Sequence, residues 1–112
     1  MQSARTDVPQ MSVSEYAGLR GNTDPPLLLD IREAWEREIC LIPESHWIPQ
    51  HEVKARLNEL PRDRDLVIQC RSGVRSHRIA AELLGLGYTR VWNLAGGILD
   101  WGRQIDPEIT QY

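Results

Sequence analysis

The amino-acid sequence predicts an α/β fold, a small parallel sheet of about five strands with helices on both faces. Short apolar runs alternate along the chain with segments of helical period, the pattern of strand–helix–strand units. Two of those runs, Leu27-Leu28-Leu29-Asp30-Ile31 and Leu66-Val67-Ile68, are almost continuously apolar, as parallel strands covered on both sides are. The connections between segments are short, which suits a compact domain. At 112 residues the chain has material for one domain and one core.

Residues 1–9 are polar and read as a flexible N-terminal segment, with the domain over 10–106 and a tail over 107–112. A short strand is expected near Pro9–Met11. Ser12 or Ser14 can cap a helix reaching about Leu19, with Glu15 near the positive end of its dipole. Gly21 to Pro26 is a loop. After the strand Leu27–Ile31 comes a short helix over 33–39, then a short strand at His46-Trp47-Ile48. Residues 52–60 are expected as a helix with Val53, Leu57 and Leu60 inward and Lys54, Arg56 and Glu59 on a solvated charged face. The turn Pro61–Asp65 leads into the strand Leu66–Ile68. From Arg75, Ile79, Ala80, Leu83 and Leu84 recur at helical spacing, and Gly85 and Gly87 supply the stop. Arg90–Leu94 is a further strand. Gly96-Gly97 permits a close turn beside the cysteine loop, and a last helix over 98–104 packs Trp101 into the core before Asp106-Pro107 ends it.

A net charge of −3 leaves no basic footprint for nucleic acid. No apolar run is long enough to cross a membrane, and the first ten residues lack the apolar centre of an export signal. Two cysteines make no disulfide framework, so a reducing, cytoplasmic compartment is expected. His46, His51 and His77 lack metal-ligand spacing; neither a metal nor another cofactor is expected, and His77 reads as a surface residue.

Chemistry is concentrated in Cys70-Arg71-Ser72-Gly73-Val74-Arg75-Ser76, between a strand and a helix. A loop that winds into a helix N-terminus points several backbone N–H groups at one spot, where the helix dipole adds positive character. A cysteine at the mouth of such a cradle is stabilised as thiolate, and Arg71 and Arg75 add fixed positive charge. The arrangement suits a nucleophilic sulfur and an anionic reactant. The competing reading is an inert cysteine buried at a strand end.

This stretch resembles the active-site loop of the rhodanese family of sulfurtransferases. Three further segments resemble that family in the right order: Leu28-Leu29-Asp30-Ile31-Arg32-Glu33-Ala34-Trp35-Glu36, the paired Ile42-Pro43 and Ile48-Pro49, and Asn93-Leu94-Ala95-Gly96-Gly97-Ile98-Leu99-Asp100-Trp101. The resemblance implies a rhodanese-like fold and a two-step transfer of sulfane sulfur. Cys70 would attack thiosulfate or a persulfide donor, and a thiol or cyanide would then accept sulfur from the Cys70 persulfide. It assigns Arg71, Ser72, Gly73, Val74, Arg75 and Ser76 to the substrate-binding loop. Asp30 and Arg32, at the carboxyl end of their strand, would be supporting residues, and an ion pair anchoring loops explains them equally well. The segment Cys40-Leu41-Ile42-Pro43-Glu44-Ser45 departs from the family's Gly-His-Ile-Pro-Gly-Ala. Cys40 reads as a small apolar residue standing in for glycine, with a resolving thiol as the alternative.

Two other classes remain. Some rhodanese-like domains are non-catalytic binding or regulatory modules, although those often lack the cysteine. Cell-cycle phosphatases and some arsenate reductases share the fold but use Cys-x5-Arg. Here the arginine comes one residue sooner, and Ser76 occupies the position of theirs. The loop and the ending Trp101…Ile105-Asp106-Pro107…Tyr112 also resemble rhodanese domains attached to adenylyltransferases. That likeness implies a sulfur-carrier protein or a cysteine desulfurase as partner, beside a small anionic sulfur donor.

Overall fold

Five strands run parallel in the order β1-β5-β4-β2-β3, and helices cover both sides of the sheet. The structure, a computed structural model, describes residues 7–112. Most of the segment expected to be flexible, residues 1–6, lies outside the described residues; Val8, at its other end, is buried in the core. The strands are β1 (Gln10–Met11), β2 (Leu27–Asp30), β3 (His46–Trp47), β4 (Leu66–Gln69) and β5 (Val91–Leu94). The helices are α1 (Val13–Leu19), α2 (Ala34–Ile39), α3 (Val74–Gly85) and α4 (Gly97–Gln104). Among the described residues no helix is long and apolar enough to cross a membrane.

Strand alternation divides the core in two. Leu29, Ile31, Leu66, Ile68, Cys70 and Val91 face α3, where they meet Ile79, Ala80, Leu83 and Leu84. Leu28, Val67, Trp92 and Leu94 face the other way, toward Val13 and Tyr16 of α1 and Ile98 and Trp101 of α4. The continuous apolar runs exist because both faces are covered.

Local chemistry sets the helix ends. Ser12 caps α1 through a reciprocal pair: its Oγ accepts from Glu15 N–H at 3.0 Å, and its own N–H donates to Glu15 Oε1 at 2.8 Å. Gly85 is the last residue of α3 rather than the stop. The chain turns at Gly87 (φ 99°), where Gly87 N–H and Tyr88 N–H bond back to the carbonyls of Leu84 and Leu83 at 3.0 and 3.1 Å.

One predicted helix takes another form. Residues 50–59 are a 3-10 helix broken at Arg56 (φ −124°, ψ 30°). The break lets Val53, Leu57 and Leu60 all reach the α3-side core. The face expected to be merely solvated is cross-linked: Arg56 bonds Glu52 at 2.9 Å and Glu59 at 2.7 Å, and His46 meets Glu59 at 2.7 Å.

The tail is irregular, as expected, yet it packs. Ile109 and Tyr112 lie against the α4-side core. Gly102 is the landing point, since a Cβ there would fall 2.7 Å from the Ile109 side chain. Trp101 beside it is 1% exposed, its ring 5.8 Å from that of Tyr16. Trp101→Ala therefore removes the largest side chain of this face, with an expected loss of about 3–5 kcal/mol in urea unfolding.

Candidate active site

Cys70 follows the last residue of β4, and its neighbours are set by two helix starts. α3 begins at Val74 after Gly73, whose φ of 102° lets the loop double back over the sulfur. The Cys70 Sγ accepts from Gly73 N–H at 3.1 Å and from Ser76 N–H at 3.4 Å, and lies 3.2 Å from Ser76 Oγ. Although the residue is 1% exposed, its sulfur meets main-chain donors on the loop side. α4 supports the loop from the far side. Ile98 and Leu99 donate their N–H groups to the carbonyls of Cys70 and Arg71 at 2.9 and 3.1 Å. The approach requires Gly97 (φ 59°), where a Cβ would stand 2.5 Å from the Cys70 carbonyl oxygen. The close turn expected at Gly96-Gly97 is thus present, and it backs the loop directly.

The loop separates two hollows. Ser72, Gly73 and Val74 line a cavity of about 420 Å³ with Gln10, His77 and Asn93. Arg71 and Arg75 line a groove of about 560 Å³ with Trp35, Ile39 and Tyr112. Trp35 is 59% exposed there, and Val74 is also exposed. His77 is half-buried rather than fully at the surface.

The two loop arginines are placed differently. Arg75 forms a two-pronged ion pair with Glu36 of α2, Nη1 to Oε1 at 2.7 Å and Nη2 to Oε2 at 2.8 Å. Its charge is already matched. Arg71 is exposed, and its Nε and Nη2 both donate to the main-chain oxygen of Tyr112.

Asp30 and Arg32 are both fully buried and bond each other at 2.9 Å. Arg37 shares Asp30, also at 2.9 Å. Neither side chain hydrogen-bonds the cysteine loop. Arg32 donates through Nη1 to the Tyr112 hydroxyl at 2.8 Å, that hydroxyl donates to Glu36 Oε2 at 2.7 Å, and Glu36 holds Arg75. The chain of charge Arg37–Asp30–Arg32–Tyr112–Glu36–Arg75 thus joins the end of β2 to the start of α3. Cys40 lies on the opposite side of the sheet from Cys70, with Arg32 bonding its carbonyl at 2.8 Å. That placement fits a packing residue. Glu44, where the family has glycine, ties the loop to α1 by accepting from Tyr16 and Arg20 at 2.8 and 2.7 Å.

Burial pushes the Glu36 carboxyl upward. Hydrogen bonds from Arg75, the Glu33 backbone and Tyr112 outweigh it and bring its pKa down to about 2. Burial, with Arg32 opposing and Glu36 adding, pushes Tyr112 up to about 12, so its hydroxyl keeps its proton. Glu36, Tyr112 and Asn93 were not foreseen as site residues. Glu36 has one signal, its place one helical turn after Arg32; Asn93 opens the glycine-rich segment, and Tyr112 stands in an unpatterned tail.

A family model described as the rhodanese-like domain matches residues 12–104. The chain belongs to the rhodanese-like domain family. A "Sulfurtransferase" of Allochromatium vinosum is 46% identical over 80% of this chain and 83% of its own length. The maize "Adenylyltransferase and sulfurtransferase MOCS3-1" is 34% identical over 92% of this chain, which spans 24% of the maize protein. Among solved structures, reduced Bacillus anthracis CoADR-RHD superposes with a TM-score of 0.81 at 33% identity, covering 94% of this rhodanese-like chain and 18% of its own.

The Glu36 pairing has a signature in acid. Because the folded carboxyl titrates below its ordinary value of 4.5, its stabilisation is complete above about pH 4.5 and is lost as the pH falls toward about 2. Glu36→Gln is expected to lower stability at pH 6 by about 2 kcal/mol. Its unfolding free energy should also fall less steeply than wild type between pH 4.5 and 3 in denaturant titrations, and parallel curves would show that Glu36 is not the group responsible.

Proposed function

We propose that this rhodanese-like protein is a sulfurtransferase that moves sulfane sulfur through a persulfide on Cys70. The observation that carries the reading is the seat of the Cys70 sulfur, with the N–H groups of Gly73 and Ser76 directed at it from the start of α3. Such donors favour a sulfur anion, and a thiolate is the nucleophile that sulfur chemistry needs. In the first step the Cys70 thiolate attacks the outer sulfur of thiosulfate. A Cys70 S–S bond forms, the donor S–S bond breaks, and sulfite leaves with the electron pair. In the second step cyanide or an acceptor thiolate attacks the terminal sulfur, and Cys70 departs as thiolate. No net oxidant or reductant is consumed.

The names of the Allochromatium and maize relatives support sulfur transfer, and the maize protein joins it to adenylyl transfer. A sulfur-carrier protein or a cysteine desulfurase is accordingly the proposed natural partner, in a reducing, cytoplasmic compartment where both free thiols stay usable. Phosphatase or arsenate reductase chemistry is disfavoured. Ser76 stands where those enzymes place their arginine, and the arginine this loop does carry is held by Glu36.

Incubation with thiosulfate should add one sulfur mass to Cys70, and cyanide should remove it. Cys70→Ser should take up none while unfolding like wild type, since a hydroxyl is a far weaker nucleophile near neutral pH. A reduced wild-type protein that gains no sulfur would instead mark a binding module.

Arg71, the exposed cation of the loop, is proposed to attract the anionic donor. Arg71→Ala should raise KM for thiosulfate by about 3- to 10-fold, with kcat and the use of an uncharged sulfane-sulfur donor such as an organic trisulfide little changed. Equal losses on both donors in steady-state assays would remove that role.

A further inference from the structure

A hydrogen-bond chain beside Cys70 has a direction, and the direction is set from outside the loop. Asn93 of β5 lies 3% exposed opposite Gln10 of β1. Its Nδ2 is 3.2 Å from the Gly73 carbonyl and 3.1 Å from Gln10 Oε1. A carbonyl can only accept, so the amino side of Asn93 must face Gly73. Gln10 agrees, because its Nε2 donates to the Val8 carbonyl at 3.4 Å and leaves Oε1 free to accept. The Asn93 Oδ1 therefore faces Ser76 Oγ, 2.5 Å away, and it too can only accept. A hydroxyl has one proton, and Ser76 gives it to Asn93. What Ser76 presents to the Cys70 sulfur at 3.2 Å is a lone pair.

We propose that Asn93 is a positioning residue for the reactive sulfur: by taking the Ser76 proton it makes Ser76 an acceptor toward Cys70. The resting thiol then donates S–H to Ser76, and the thiolate is held by the main-chain N–H groups of Gly73 and Ser76 without help from the hydroxyl. This deepens the sulfurtransferase reading and rests on Cys70 being its nucleophile. A thiolate less quenched by hydrogen bonds attacks faster, since thiolate nucleophilicity rises with basicity. Other charged or titratable groups surround the sulfur. α3 brings Arg75, which interacts electrostatically with Cys70 and is paired with Glu36 of α2, and half-buried His77. The loop adds Arg71, and α4 adds Asp100 beside Gly96. β5 and β1 contribute only the neutral amides of Asn93 and Gln10.

The test is the pH dependence of Cys70 alkylation by iodoacetamide. The intact protein is read by peptide mass, so that Cys40 is scored separately. In Asn93→Leu the Ser76 hydroxyl is free to turn to the sulfur. The midpoint should fall by about one pH unit, a tenfold change in the ionisation equilibrium. In a Ser76→Ala background the same substitution should move nothing, which a general loosening of the site would not reproduce. An unchanged or raised midpoint in Asn93→Leu overturns the proposal, as does an equal fall with and without Ser76. If Asn93→Leu does not fold, Ser76→Ala alone decides: losing an acceptor for the thiol should lower the midpoint, and an unchanged or raised midpoint, the mark of a hydroxyl that donates to the thiolate, overturns the proposal. Alkylation reads the sulfur whether or not it ever carries a second one. Shifts as expected in a protein that takes no sulfur from thiosulfate would sink the sulfurtransferase reading alone.

Discussion

Two hydrogen bonds hold the cysteine loop in shape: the N–H groups of Ile98 and Leu99, in the first turn of α4, on the carbonyls of Cys70 and Arg71. A helix start has N–H groups without partners, and a loop leaving a strand has carbonyls without partners. Each supplies what the other lacks. The contact fixes the path of the chain just where it leaves β4, so the next residues can wind back and aim the N–H groups of Gly73 and Ser76 at the sulfur. Only glycine at position 97 lets the two backbones come this close, because any side chain would collide with the loop carbonyls. The cradle is therefore built by two helices, one that carries it and one that braces it.

A second constraint works from the other side. Asp30 and Arg32 are charged and fully buried, a combination tolerated only when every charge is matched. Asp30 is matched by Arg32 and Arg37, and the network runs on from Arg32 through the Tyr112 hydroxyl to Glu36, whose buried carboxylate is neutralised by the loop's own arginine, Arg75. That accounts for why Arg75 is not free to act as an anion trap, and it leaves Arg71 as the exposed cation at the mouth. It also draws the tail into the site. The Tyr112 ring packs edge-on against Trp35, and Arg71 and Arg32 lie over its face, so one side chain links the groove, the loop and the buried pair.

What was legible in the sequence was whatever local patterning encodes. The continuous runs at β2 and β4, the Ser12 cap, the helical spacing of Ile79, Ala80, Leu83 and Leu84, and the paired glycines at 96 and 97 each express a backbone requirement, and each lies where expected. The cysteine loop could be picked out because strand, loop and helix succeed one another within a few residues. Partnerships between distant segments could not be read this way. Nothing near Glu36 says that it holds Arg75, 39 residues on, and nothing near Tyr112 says that its hydroxyl bridges Arg32 and Glu36. The 3-10 form of residues 50–59 was hidden for a related reason: Val53, Leu57 and Leu60 fit a regular helix by spacing, while the break at Arg56 answers to the core they must reach.

The size of the cradle argues for sulfur over phosphorus. A transferring phosphoryl group spreads charge over three equatorial oxygens and needs a ring of donors with an arginine fork to match them. Here the donors converge on one atom. Gly73 and Ser76 point at Sγ itself, Ser76 fills the place of a phosphatase arginine, and the fork of Arg75 closes on Glu36. The second sulfur of the proposed Cys70 persulfide would add a single atom whose charge is diffuse, and it would ask for no further donors than a short loop can aim. Having one residue fewer than the Cys-x5-Arg enzymes thus has two consequences at once: Ser76 brings a hydroxyl beside the sulfur, and Arg75 falls where Glu36 holds it in the buried charge chain.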